Sequence, residues 1–137
     1  MNRTIKYIAV HCTATQPTAT VSSIQNYWKN EKGWKMPGYH FLIKADGEVV
    51  NLLGTDKISN GVKGYNSVSV NVCYVGGVDS KGKPKDTRTA AQKESLLKIL
   101  KQLKRQFPGA LIQGHRDFPN VVKACPSFDA KTEYKTI

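Results

Sequence analysis

The sequence is short of the residues that build disulfide frameworks and membrane spans. Its 137 residues include 3 cysteines, at positions 12, 73 and 125. An odd number of cysteines at long spacings predicts reduced thiols. The apolar runs are short segments such as residues 7–10, well below the roughly 18 to 20 residues that a membrane-spanning helix needs. We therefore expect a chain that folds around its own core, with no membrane span.

The N-terminus also lacks the features of a secretory signal. Residues 1–6 run directly into an apolar strand pattern. They have neither the apolar stretch of about 7 to 15 residues nor the small-residue cleavage site of an export signal. These absences predict synthesis in the cytoplasm without Sec export.

Positive charge is in excess, although arginine is scarce. The chain has 21 lysines and arginines against 10 acidic residues, which gives a formal net charge of +11. Such a charge favours an anionic polymer through long-range attraction, or simply keeps the chain soluble. Arginine occurs only at positions 3, 88, 105 and 116, whereas nucleic-acid readers depend on arginine and stacked aromatic rings. We therefore expect no specific nucleic-acid partner.

Turn signals and hydrophobic periodicity predict alternating strands and helices. Strand patterns cover residues 5–12, 39–44, 48–53, 67–76 and 110–113, and Asp46-Gly47 predicts a hairpin turn. Helices are predicted after the cap candidates Ser22 and Ser23, after Thr89, and at the C-terminus. The second helix has a leucine stripe, interpreted as core, of Leu96, Leu97, Leu100 and Leu103. We expect one α/β domain over residues 1–137, a central mixed sheet of about five strands flanked by about three helices.

The chain has three histidines, and the positions of two of them favour a functional role over a packing role. His11 ends the first predicted strand and His115 follows the last, where open sheets place their functional groups. Cys125 lies in a polar, turn-rich stretch that is unusual for a structural thiol. Two imidazoles and a thiolate can hold Zn²⁺ with one position open, as catalytic zinc sites do. The three residues are scattered in sequence and form no compact zinc motif. Their spacing alone therefore does not distinguish a zinc site from three residues that are buried only for packing.

Five segments follow one another in an order that resembles one enzyme family. They are His11-Cys12-Thr13-Ala14-Thr15, Gly38-Tyr39-His40-Phe41-Leu42-Ile43, Lys63-Gly64-Tyr65-Asn66, Val75-Gly76-Gly77-Val78-Asp79 and Lys123-Ala124-Cys125-Pro126-Ser127-Phe128-Asp129. Together they resemble the type-2 N-acetylmuramoyl-L-alanine amidases, a family that includes peptidoglycan recognition proteins. The short amidases of T-odd coliphages are the most similar branch.

The resemblance implies a peptidoglycan recognition protein-like fold and a zinc-dependent amidase. Its substrate would be the amide bond between N-acetylmuramic acid and L-alanine in peptidoglycan. The implied zinc ligands are His11, His115 and Cys125, with Tyr39 and Lys123 stabilising the oxyanion and handling protons. His40, next to Tyr39 in a predicted strand, should point to the opposite face as a core or supporting residue and not as a fourth ligand.

Without an export signal, such a monomeric enzyme would reach the periplasm or cell wall by release or delivery. A phage or prophage lysis enzyme and a delivered antibacterial effector both fit, and the residues do not test whether the chain also binds an RNA polymerase. One departure from the family concerns substrate contacts, because residues 59–63 lack the histidine that members often have before the Gly-Tyr-Asn segment.

Three other interpretations make different predictions. A non-catalytic peptidoglycan-binding module of the same fold characteristically lacks the cysteine ligand, which this chain retains at Cys125. A cysteine peptidase with Cys125 as nucleophile and His115 as base would be inhibited by alkylation in a way that chelators do not reproduce. A blue-copper carrier usually gathers three ligands in one short loop.

Overall fold

The computed structural model describes residues 3–137, and its centre is one mixed β-sheet. The strands are β1 (Tyr7–Cys12), β2 (Phe41–Ile43), β3 (Val49–Asn51), β4 (Ser69–Tyr74) and β5 (Leu111–Gly114), and the helices are α1 (Val21–Asn30), α2 (Ala90–Gln106) and α3 (Ala130–Glu133). The strand order is β3-β2-β4-β1-β5. Strand β1 pairs in parallel with β4 and β5, β2 pairs in parallel with β4, and β2 and β3 form the predicted antiparallel hairpin. The predicted fold class is confirmed.

The main core lies between the sheet and helices α2 and α3. Ile8 and Val10 of β1 and Val72 of β4 pack there against Leu100 of α2 and Tyr134 at the end of α3. These strand residues alternate with residues that face the other side, as the two-residue period of a strand requires. One face of the sheet is therefore closed by apolar packing.

Helix α1 and loop residues cover the second face of the sheet. Helix α1 packs Ile24 and Trp28 against Leu42 and Cys73. The strand residues on this face are also buried, and they include His11, whose side chain is 1% exposed. The carboxyl end of β1 on this face is where the predicted site lies.

The cap of helix α1 differs from the prediction. Thr20 is the N-cap, and the predicted caps Ser22 and Ser23 lie inside the first turn. The Thr20 hydroxyl accepts a hydrogen bond from the Ser23 backbone N–H (3.1 Å), and Ser23 Oγ accepts one from the Thr20 N–H (3.2 Å). This reciprocal capping box satisfies two donors, more than a cap at Ser22 or Ser23 would. In helix α2 the predicted cap Thr89 is confirmed.

The leucine stripe of α2 is confirmed except at Leu97. Leu96, Leu100 and Leu103 are at most 1% exposed, whereas Leu97 is 39% exposed. The buried positions of α2 centre on one side of the helix, and Leu97 lies about 100° around the axis from Leu96, beyond the edge of that stripe. Within residues 3–137 no helix is both long and apolar enough to cross a bilayer.

The difference between Leu100 and Leu97 predicts unequal effects of the same truncation. Leu100→Ala should lower the free energy of unfolding by about 2 to 5 kcal/mol, because it opens a cavity in the main core. Leu97→Ala should lower it by less than about 1 kcal/mol, because the side chain is already partly in water. Urea titration followed by circular dichroism measures both. Equal losses would contradict this description of the core.

Candidate active site

Parallel strand pairing brings the two predicted histidines together. Strands β1 and β5 are neighbours, with Val10 opposite Gly114. The next residue along each strand is a histidine, so His11 and His115 lie side by side at the carboxyl end of the sheet. Their ring centroids are 4.8 Å apart. The two residues are 104 positions apart in sequence, and the sheet register alone makes them neighbours.

The loop before α3 brings Cys125 to the same place. The Arg116 N–H donates to the Cys125 carbonyl (2.8 Å), and the Tyr74 hydroxyl donates to the Pro126 carbonyl (2.7 Å). The Cys12 backbone N–H donates to Cys125 Sγ (3.2 Å). A Cβ at Gly114 would lie 2.6 Å from Pro126 Cδ, so only glycine lets the loop approach β5 this closely.

The three side chains converge as metal ligands do. One ligand atom from each of His11, His115 and Cys125 lies within 4.8 Å of the other two. His11 Nδ1 is 3.9 Å from Cys125 Sγ. Tetrahedral zinc with ordinary Zn–N and Zn–S lengths separates such atoms by roughly 3.6 Å. A small inward movement of the side chains therefore suffices, and the group can hold a metal ion.

Burial keeps both imidazoles neutral. It lowers the pKa of His11 to about 3 and that of His115 to about 4, and the nearby charge of Lys123 acts in the same direction. Neutral imidazole is the form that binds metals. A hydrogen bond with the Cys12 thiol, together with burial, raises the pKa of Cys125 well above its ordinary value, and the same contact lowers the pKa of Cys12 to about 7.

The two further predicted site residues lie around this group. The ring centroids of Tyr39 and His11 are 5.0 Å apart, and Tyr39 also packs edge-on against Trp28 of α1. The Tyr39 hydroxyl donates to the Cys12 carbonyl (3.4 Å), and burial raises its pKa well above the ordinary value, so it stays protonated. Lys123 is exposed, and its charge acts on both histidines.

The group opens into a long surface groove of about 1110 Å³. Tyr27, Trp28 and Trp34 give its wall an aromatic character, and the side chains of Lys32, Lys63 and Lys123 line it as well. No acidic side chain contributes to the lining among the described residues. The groove therefore suits an extended ligand that has both apolar and anionic parts.

Sequence reasoning missed one polar residue beside the site. The predicted strand over residues 67–76 has small or polar residues in alternation, a pattern that places them towards solvent. Asn71 is instead fully buried, and its Oδ1 lies 2.8 Å from His11 Nε2. His40 is buried too and stays outside the ligand group, as predicted. The prediction that it points to the face opposite Tyr39 is wrong, because Ser59 and Asn71 connect it to His11, against which Tyr39 also packs. The signal for Asn71 is its position in a central strand, where a polar side chain requires a buried partner.

Comparison with known proteins decides the family. Residues 1–128 match the model of the family described as N-acetylmuramoyl-L-alanine amidase. The chain belongs to this amidase family. The expected amidase activity is thereby confirmed, as is the resemblance on which it was based.

Individual relatives agree with the family. An endolysin of Klebsiella phage KP32 is 46% identical over 125 residues, and an endolysin of Escherichia phage T7 is 44% identical over 127 residues. Each alignment covers 90% of this amidase and 82% of the relative. The ectodomain complex of peptidoglycan recognition proteins LCa and LCx, solved with tracheal cytotoxin, aligns with a TM-score of 0.80 at 22% identity. That alignment covers 98% of the amidase and 83% of the solved chain, and it shows the shared fold.

The neutral imidazoles predict how many protons zinc binding releases. At pH 6 the amidase should release about one proton per zinc ion, from Cys125, because His11 and His115 carry none. Imidazoles with ordinary pKa values of about 6.5 would raise the release to about 2.5 protons. Calorimetric titration with zinc in buffers of different ionisation enthalpy measures this number. A release above about two protons would contradict the burial of the two rings.

Proposed function

We propose that the amidase uses a zinc ion held by His11, His115 and Cys125 to cut peptidoglycan between N-acetylmuramic acid and L-alanine. The observation that carries this proposal is the convergence of three ligand atoms within 4.8 Å beside an open groove. When bound, zinc supplies Lewis-acid chemistry that makes water nucleophilic near neutral pH. We propose that the catalytic domain spans residues 1–137.

Tyr39 and Lys123 stabilise the charge that develops during hydrolysis. Tyr39 keeps its proton and lies against His11. Its hydroxyl can leave the long hydrogen bond to the Cys12 carbonyl (3.4 Å) and donate instead to the scissile carbonyl oxygen as that oxygen becomes negative. Lys123 adds positive charge from the lining of the groove, close enough to act on both histidines, and can donate a proton to the departing amine. Such preorganised donors act most strongly in a site shielded from water.

The groove fits a muramyl stem peptide. Its aromatic wall can pack against sugar and alanine groups, and its lysines can pair with the carboxylates of the peptide. The tracheal cytotoxin bound by the recognition proteins LCa and LCx is consistent with a ligand of this class on this fold. We propose that the enzyme acts as a monomer on peptidoglycan in the periplasm or cell wall.

The biological role we propose is that of an endolysin. The phage relatives of similar length bear that name, and the enzyme would be made in the cytoplasm and reach the wall at lysis. A delivered antibacterial effector would use the same chemistry and differs only in how the protein reaches the wall.

The remaining alternatives fit the site less well. A cysteine nucleophile requires a single imidazole as its base, whereas the Cys125 thiol lies among two imidazoles, in the arrangement of a metal site. A binding module without catalysis needs no metal ligands, whereas all three converge here.

Removal of one ligand should abolish the activity. Purified enzyme incubated with peptidoglycan sacculi should release stem peptides that begin with alanine, as detected by mass spectrometry. Chelation should stop the release and added zinc should restore it. Cys125→Ala should release none, because the metal loses its thiolate.

Cys73→Ala is the matched control for the ligand variant. Cys73 is buried in the same sheet face but lies outside the ligand group. Its thiol contacts Tyr39, so the variant should keep its zinc and still release peptide, unlike Cys125→Ala. Sacculi that bind wild-type protein without release of peptide would refute the enzymatic proposal. Full activity in a chelator together with loss on alkylation would support the cysteine peptidase instead.

Tyr39 and Lys123 should affect turnover and not metal binding. Tyr39→Phe and Lys123→Ala should each lower kcat by about 10²- to 10³-fold, because each removes one stabilising donor. Zinc content, measured by atomic emission, should stay at the wild-type level. Lys131→Ala, an exposed position outside the groove, should leave kcat unchanged. Loss of zinc from Tyr39→Phe would assign this residue a structural role.

A further inference from the structure

A chain of hydrogen bonds runs beneath the metal ligands, through four polar side chains that are almost completely shielded from water. His11 is 1% exposed, and His40, Ser59 and Asn71 are each 0% exposed. The chain begins at the Lys57 carbonyl, which lies 2.7 Å from His40 Nε2. A carbonyl only accepts hydrogen bonds, so His40 carries its hydrogen on Nε2.

His40 Nδ1 is therefore an acceptor. The Asn71 backbone N–H donates to it (3.0 Å), and the Ser59 hydroxyl lies 3.1 Å from it. Ser59 has a single hydrogen, which it also donates to this nitrogen, so the Nδ1 lone pair is shared between two donors. The Ser59 oxygen is then free to accept from Asn71 Nδ2 at 2.7 Å.

This sequence of donors and acceptors determines the orientation of the Asn71 amide. With Nδ2 directed at Ser59, Oδ1 faces His11 Nε2 at 2.8 Å. In the reversed amide, Ser59 would have to donate its hydrogen to Asn71, and its lone pair would face that of His40 Nδ1 at 3.1 Å. The observed orientation gives every donor in the chain an acceptor.

Gly61 makes room for this amide. A Cβ at position 61 would lie 2.3 Å from the Asn71 amide carbon and oxygen. Any other residue there would displace the amide from His11. The segment before Gly-Tyr-Asn, which lacks the histidine often found in the family, thus accommodates Asn71 in this chain.

We infer that Asn71, oriented by Ser59 and His40, is a positioning residue of the metal centre that holds the hydrogen of His11 on Nε2 and so presents Nδ1 to the metal. The free lone pair of Nδ1 points to the side where Cys125 Sγ lies, 3.9 Å away. Partners of this kind set ring orientation and tautomer in metal sites. The inference rests on the proposed zinc centre, but the hydrogen-bond chain exists without the metal.

The first test reads the tautomer directly in metal-free wild-type protein. Long-range ¹H–¹⁵N correlation spectra of histidine rings at neutral pH distinguish a hydrogen on Nε2 from one on Nδ1. We expect His11 and His40 both to carry it on Nε2. A His11 ring with its hydrogen on Nδ1 would overturn the inference. Wild-type protein that binds no zinc would instead refute the proposed function and leave the tautomer result standing.

The second test measures zinc affinity by competition with a chromophoric chelator. Asn71→Leu removes the acceptor at nearly constant volume and should weaken zinc binding by about 10- to 100-fold. Asn71→Asp keeps an oxygen towards His11 and should bind zinc at least as tightly as wild type. Ser59→Ala removes the group that orients the amide, so His11 should show both tautomers, with zinc affinity between those of wild type and Asn71→Leu.

Gln92→Leu controls for general destabilisation. Gln92 is a fully buried amide that donates to the Ile43 and Val75 carbonyls and has no contact with His11. Its variant should lose stability and keep wild-type zinc affinity. Equal zinc affinity in wild type and Asn71→Leu would overturn the inference. If Asn71→Leu does not fold, a Ser59→Ala spectrum and affinity identical to wild type would overturn it.

Discussion

The parallel pairing of β1 with β4 on one side and β5 on the other is the constraint on which the site depends. It places His11 next to His115 across the β1–β5 pair. Across the β1–β4 pair, His11 is opposite Cys73, and the side chain of Asn71, two residues before Cys73, lies beside His11. Parallel strands end at the same edge of a sheet, so functional side chains from distant parts of the sequence lie close together there. The third ligand needs only a loop that returns to this edge, and Gly114 admits it.

Burial explains both why the imidazoles of this site are neutral and why His11 has a polar side chain beside it. An imidazole inside the sheet stays neutral because a charge there would lose its hydration, and neutral rings are ready ligands. The same burial makes an unpaired ring nitrogen costly, and the Asn71 oxygen pairs with His11 Nε2, the ring nitrogen that does not face Cys125. The same hydrogen bonds therefore stabilise the fold and fix the position of the His11 ring.

The fold class, the hairpin, the α2 cap and the strands were predictable because each is encoded locally. Asp46-Gly47 specifies its turn, and Thr89 with Gln92 specifies a helix start. The errors arose where two local signals competed. Thr20, Ser22 and Ser23 are all good caps, and only backbone geometry selects among them. Leu97 has the right residue type but the wrong angle around the helix.

By itself, the sequence determined which residues could take part in the chemistry, because three histidines, three cysteines and the family-like segments leave few candidates. Local patterns likewise determined most strands and helices, since hydrophobic period and turn chemistry act over a few residues. Only the tertiary structure decided that the side chains of His11, His115 and Cys125, which could hold a metal ion, come within 4.8 Å of one another and that Asn71 Oδ1 lies beside His11 Nε2. Those facts depend on strand register and on the exclusion of water, which no short segment encodes.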